Sequence, residues 1–139
     1  MSREVYFKKL EQIVELLREL EGLLQRPFEE YSADTIVPRA AERDFQLLVN
    51  LAVDVNLYLL AERAGTTPDS YRQSFLELAR TGILARPLAE CLAQSARLRN
   101  ILVHEYDLDV DVEVFYRSAR ELVAPYREYV QAVYRVLDG

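Results

Sequence analysis

Residues 99 to 106 read Arg-Asn-Ile-Leu-Val-His-Glu-Tyr and contain the only histidine among 139 residues. A guanidinium, an amide, an imidazole and a phenol thus fall within two helical turns. An imidazole titrates near neutrality, so it can take a proton from a ribose 2′-hydroxyl or give one to a leaving oxygen. A guanidinium offers a planar fork of donors that fits a phosphate and holds charge developing at phosphorus. Together they suit phosphodiester cleavage, with His104 as acid/base and Arg99 as phosphate partner. Asn100 can orient either the imidazole or the phosphate, and the Tyr106 hydroxyl is expected near a helix end where it is reachable. This chemistry needs no metal, and no metal-ligand spacing is visible. The competing reading is a helix terminus in which a histidine followed by acids merely complements the helix dipole.

Charge divides sharply at this point. From Arg80 to His104 the balance is +3, with Arg80, Arg86, Arg97 and Arg99 against Glu90 alone. From Glu105 to Glu121 it is −4. At the helical step, Arg97 and His104 lie about 20° apart, Asn100 and His104 about 40°, and Arg99 and His104 about 140°. Three arrangements could bring Arg99 to the imidazole. Its side chain swings round, the helix unwinds near His104, or two such helix ends meet across a two-fold axis.

The elements that must position these groups read as five helices, with no convincing strand. The first covers about residues 3 to 24, with Tyr6, Leu10, Ile13, Leu17, Leu20 and Leu24 on one face. Residues 25 to 35 read as a loop. A second helix has Pro38 in its first turn and runs to about Arg63, stopped by Gly65. It is apolar almost all round from Leu47 to Leu60, which predicts the central helix of a bundle. Asn50 and Asp54 interrupt it on one face, and Asp54 is the candidate for orienting Arg99 from behind. Thr67-Pro68-Asp69 opens a short third helix that ends at Thr81-Gly82. Pro87 opens a fourth through about His104. Asp109 or Asp111 caps a fifth, bent or broken near Pro125. Tyr116, Tyr126, Tyr129 and Tyr134 are expected in the core.

The length suits one domain, residues 1–139, able to bury a sizeable core. Half the residues are hydrophobic and 29% are charged, an ordinary globular balance. Four glycines and five prolines favour long helices with few tight turns. A net charge of −6 argues against a broad non-specific nucleic-acid surface, so RNA affinity would have to come from a focused cleft, with Arg97 helping. The lone Cys91 is expected to be a buried structural thiol. The N-terminus lacks the apolar core of a signal peptide, and no run approaches the length needed to cross a bilayer. A cytoplasmic protein without a membrane partner is expected.

The octet closely resembles the signature of the HEPN superfamily, in its HepT-like toxin branch, read here as Arg99-Asn100-x-x-x-His104-x-Tyr106. Arg39 to Asp54 and Ser70 to Gly82 add to the resemblance; residues 1 to 35 and the last helix match only as helices. The resemblance implies a compact all-α bundle that forms a homodimer with the Arg/His sites at its interface. It implies a toxin that is a metal-independent ribonuclease without a cofactor of its own, with transfer RNA a candidate substrate. It also implies an MntA-type nucleotidyltransferase antitoxin, which uses ATP and Mg²⁺ to add AMP to the motif tyrosine, Tyr106. An AMP there would put bulk and negative charge where an RNA phosphate binds. Two further readings compete: a non-catalytic nucleotide- or partner-binding subunit of a nucleotidyltransferase complex, and a plain helical adaptor.

Overall fold

Ser2 opens the first helix by accepting the backbone N–H of Val5, and α1 then runs Arg3–Leu24. The computed structural model describes residues 1–104 and 111–139. Among these residues there are six helices and no strand. After α1 come α2 (Phe28–Tyr31), α3 (Ile36–Arg63), α4 (Tyr71–Arg80), α5 (Arg86–Val103) and α6 (Val112–Asp138). The expected bundle of helices is therefore present, with one more than the five read from sequence.

The extra element is the single turn α2, inside the stretch expected to be loop. Pro27 precedes it in extended conformation. Its anchor is Tyr31, fully buried, whose ring lies 4.8 Å from that of Tyr116. The Tyr116 hydroxyl donates to the Arg26 carbonyl at 2.6 Å and closes the corner.

The core is one continuous cluster. α3 is its centre, packed by α1 on one side and by α4 and α5 on others, while α6 closes against α1 and α5. The hydrophobic stripe read along α1 is buried as expected. Tyr116, Tyr126 and Tyr129 are core residues, and Tyr134 stacks on Phe7 at 5.5 Å. By length and composition α3 is long and apolar enough to cross a bilayer, which corrects the expectation that no run is. Its apolar girth is used inside the bundle, where Ala41, Phe45, Leu48, Ala52 and Leu59 are wholly covered or nearly so.

Two helix ends follow from capping chemistry. Ser70 accepts the Gln73 N–H at 3.0 Å and starts α4 three residues after the expected Thr67. Asp111 caps α6 by accepting from the Glu113 and Val114 N–H groups, one of the two candidates read from sequence. Pro125 does not break α6, the stronger of the two outcomes, bent or broken, expected there. It removes one N–H from the Glu121 carbonyl. Leu122, Val123, Tyr126, Tyr129 and Val130 on either side of it are buried, and that packing outweighs one lost hydrogen bond.

One buried carboxyl works against the fold. Asp44 on α3 is 8% exposed, and its Oδ2 has no hydrogen-bond partner. Burial, and secondarily Glu19, push its pKa up to about 6. The folded chain thus holds a proton that the unfolded chain releases at lower pH. Stability falls as pH rises through the window from about 4 to 6, and the penalty is complete above it. Asp44→Asn is expected to raise stability at pH 8 by about 1–3 kcal/mol and to change it little at pH 4. Thermal melts of both proteins at the two pH values check this; an equal gain at both would remove the ionisation argument.

Candidate functional site

α5 carries the chemistry and is seated closely. Pro87 lies in its first turn, and the small residues Ala89, Ala93 and Ala96 are buried, which lets neighbouring helices approach. Ser95 reinforces the seat: its hydroxyl is bonded to the Leu92 carbonyl and, at 2.7 Å, to the Tyr126 hydroxyl. The helix stays regular through Val103. His104 is its C-cap, exposed, and its N–H still donates to the Asn100 carbonyl at 3.2 Å. Unwinding before the histidine is thereby excluded.

Arg99 is held from three sides. Its Nε donates to Asn50 Oδ1 at 3.0 Å, and Nη1 donates to Asn100 Oδ1 at 3.2 Å. The guanidinium carbon lies 4.6 Å from the centre of the Tyr71 ring, a cation–π contact. The side chain is half-buried and leans towards α3 and α4.

Tyr71 is in turn fixed by the core. Its carbonyl accepts from the Ser74 hydroxyl at 2.7 Å, and that hydroxyl accepts from Asn56 Nδ2 at 3.1 Å. The Asn56 carbonyl oxygen accepts from the Tyr129 hydroxyl at 2.6 Å, while the same hydroxyl approaches the Ala52 carbonyl at 3.0 Å. Asn56 and Ser74 are wholly buried. A relay of neutral groups therefore runs from α6 through α3 to the first turn of α4. Burial holds the Tyr126 and Tyr129 phenols well above their ordinary pKa, so both stay protonated donors.

Asn100, read from sequence as orienting the imidazole or the phosphate, accepts from Arg99 instead. Asp54 does not join Arg99: it is exposed and faces Lys9 on α1 at 3.7 Å. The α3 partner of Arg99 is Asn50, one turn earlier on the same face. Arg97 is exposed and lines a different region, a cleft of about 410 Å³ between α5 and α6 shared with Cys91, Leu98, Ile101, Val114 and Leu122. Cys91 is half-buried rather than fully covered, and burial, then Glu121 and Glu128, raise its thiol pKa. Tyr106 lies outside the described residues. Among the described residues no group of three or more His, Cys, Asp or Glu could hold a metal.

Asn50 was legible as a polar interruption of α3, but nothing in the sequence tied it to Arg99. Tyr71 lay within the Ser70–Gly82 stretch of the resemblance, but nothing there tied it to Arg99. Both become site residues only through the packing of α3, α4 and α5.

The description "Ribonuclease HepT-like" belongs to the family model that matches residues 10–133. An Archaeoglobus fulgidus protein described as "Putative RNase" is 32% identical over 140 residues, spanning 99% of this chain and 97% of the other. The tRNA nuclease HepT of Aphanizomenon flos-aquae is 34% identical over 92 residues, 66% of this chain and 62% of its own. In fold, the chain is similar to the tri-AMPylated Shewanella oneidensis HEPN toxin solved in complex with MNT antitoxin. The TM-score is 0.86 at 17% identity, covering 97% of this chain and 99% of that one. The resemblance read from the Arg99–Tyr106 octet is borne out, and the chain belongs to the ribonuclease HepT-like family.

Proposed function

We propose that this protein is the toxin of a toxin–antitoxin pair, an endoribonuclease that cuts RNA without a metal ion. The observation that carries this reading is Arg99, oriented and half-buried on the same helix whose end presents His104. In the proposed step, an imidazole takes the ribose 2′-hydroxyl proton while that oxygen bonds to phosphorus. The bond from phosphorus to the 5′-oxygen breaks, and the leaving oxygen receives a proton. Products are a 2′,3′-cyclic phosphate and a 5′-hydroxyl. Arg99 binds the non-bridging oxygens and holds their charge as it develops.

The reaction needs a base and an acid, and each chain has a single histidine. Arg99 leans towards α3 and α4, so its swing does not carry it round the helix to His104. Both facts favour a homodimer whose two helix ends share one cleft. Ile101 and Val103 within the motif segment, and Val112 and Val114 after it, are exposed apolar side chains, a surface suited to a second copy. The protein's proposed partner is a nucleotidyltransferase antitoxin of the kind seen with the similar toxin, using ATP and Mg²⁺. AMP placed on Tyr106 would silence the site by occupying the phosphate position with negative charge. Transfer RNA is the proposed substrate, in line with the relative named a tRNA nuclease.

The test is purified protein with bulk transfer RNA, in EDTA and in Mg²⁺, with intact-mass measurement of the protein. Equal cutting in both, leaving cyclic-phosphate ends on unmodified protein, is expected. Cutting abolished by EDTA would overturn metal independence. RNA left intact by unmodified dimeric protein would favour a non-catalytic binding subunit instead.

A further inference from the structure

The groups that hold Arg99 share a property that a binding arginine requires: none carries a charge. Asn50 and Asn100 supply amide oxygens, and Tyr71 supplies the face of a ring. Arginines in helical bundles are commonly steadied by carboxylates, which orient the guanidinium but cancel its charge. Here Asp54 sits one turn along α3 from Asn50 and is directed to Lys9 instead. Among the described residues Arg99 makes no ion pair. Its five N–H groups are divided unequally. Asn50 takes the Nε–H and Asn100 takes one Nη1–H, so neither partner occupies the remaining Nη1–H or the two Nη2–H groups.

We propose that Asn50 and Tyr71, with Asn100, form a neutral cradle that positions Arg99 while preserving its full charge for an RNA phosphate. The proposal rests on the reading of Arg99 as the phosphate partner. Asn50 fixes the rotation of the guanidinium through Nε, the donor least needed for an end-on fork. Tyr71 supports the plane from below, and its backbone carbonyl is held by the Ser74–Asn56 relay. Asn50 and Tyr71 are positioning residues, acting on substrate only through Arg99.

Asn50→Asp separates this role from simple packing. The substitution keeps size and the acceptor oxygen and adds a negative charge 3.0 Å from Nε. If Arg99 served only the fold, the new ion pair would leave RNA binding and cutting unchanged. With a neutral cradle, the melting temperature is held or raised while RNA affinity falls about tenfold, because the guanidinium is already satisfied. The loss appears in KM more than in kcat. The readouts are anisotropy of a fluorescein-labelled single-stranded oligoribonucleotide, cleavage of bulk transfer RNA, and thermal melting. Tyr71→Leu is expected to weaken RNA binding several-fold, and Tyr71→Phe to restore it, since a phenyl face also supports a cation.

Arg99→Ala is measured alongside. If it binds and cuts as wild type does, the phosphate role of Arg99 fails, whatever the other variants do. If Arg99→Ala loses binding but Asn50→Asp binds like wild type, the neutral cradle is overturned and the phosphate role stands. Affinity and melting decide the cradle even where bulk transfer RNA is not cut.

Discussion

His104→Ala is expected to lower kcat for RNA cutting by about 10²–10⁴-fold and leave the melting temperature within about 2 °C of wild type. The size follows from the role: proton transfer by a positioned side chain contributes on that order, and the chain has no second imidazole to substitute. The small structural effect follows from the position. His104 is exposed at the end of α5, where its backbone N–H completes the last turn. Arg99→Ala is expected to cost about 10²–10³-fold, with a modest loss of stability from the missing Tyr71 and Asn50 contacts. Each variant is assayed by initial rates on RNA under saturating and limiting conditions, beside circular dichroism. Cutting that survives in His104→Ala would transfer the proton chemistry to another group. The two substitutions act on one step, so the double variant should be little worse than the worse single variant.

Asn56→Ala should be the most damaging core substitution in this chain that removes no large apolar group. It deletes the link between Tyr129 and Ser74 in a layer without solvent access. The Tyr129 hydroxyl keeps the Ala52 carbonyl, but Ser74 loses its donor partner and a cavity opens between α3 and α4. A loss of about 2–4 kcal/mol is expected, on the order of 10 °C in melting temperature. Unlike an ordinary cavity, it should also reduce RNA cutting several-fold at temperatures where the variant is fully folded, because the first turn of α4 carries Tyr71. Denaturant unfolding and cleavage at low temperature measure the two effects separately. Destabilisation with unchanged cutting would mean that the relay serves the fold alone.

Local patterns exposed much of this molecule to sequence reasoning, and tertiary pairing concealed the rest. The α1 boundaries were readable because Tyr6, Leu10, Ile13, Leu17, Leu20 and Leu24 repeat at helical steps and Pro27 forbids continuation. Asp111 was readable as a cap because carboxylates satisfy helix N-termini. The turn α2 has only four residues, too few to show a period. At Pro125 the local rule pointed to a bend or a break, and buried neighbours on both sides keep the helix continuous. The Arg99–Tyr106 octet was legible as chemistry from residue types alone. Its support was not: Asn50 and Asp54 share a face of α3, and only the crossing of α5 selects Asn50. Tyr71 meets Arg99 across 28 residues of chain, beyond any spacing rule.

The relay from Tyr129 to Tyr71 also sets how the site can come apart. α4 has ten residues, short enough that on its own it would fray within microseconds and persist poorly in water. Its first turn is instead tied through Ser74 and Asn56 to a layer where Tyr129 and Asn56 have no exposed surface. Releasing that turn means breaking buried hydrogen bonds that water cannot replace until the bundle itself opens. Local opening at the arginine support is therefore coupled to sub-global opening of α3 and α6, in the same cooperative unit. The arginine support forms with the core, so a chain whose core has not closed lacks a formed site.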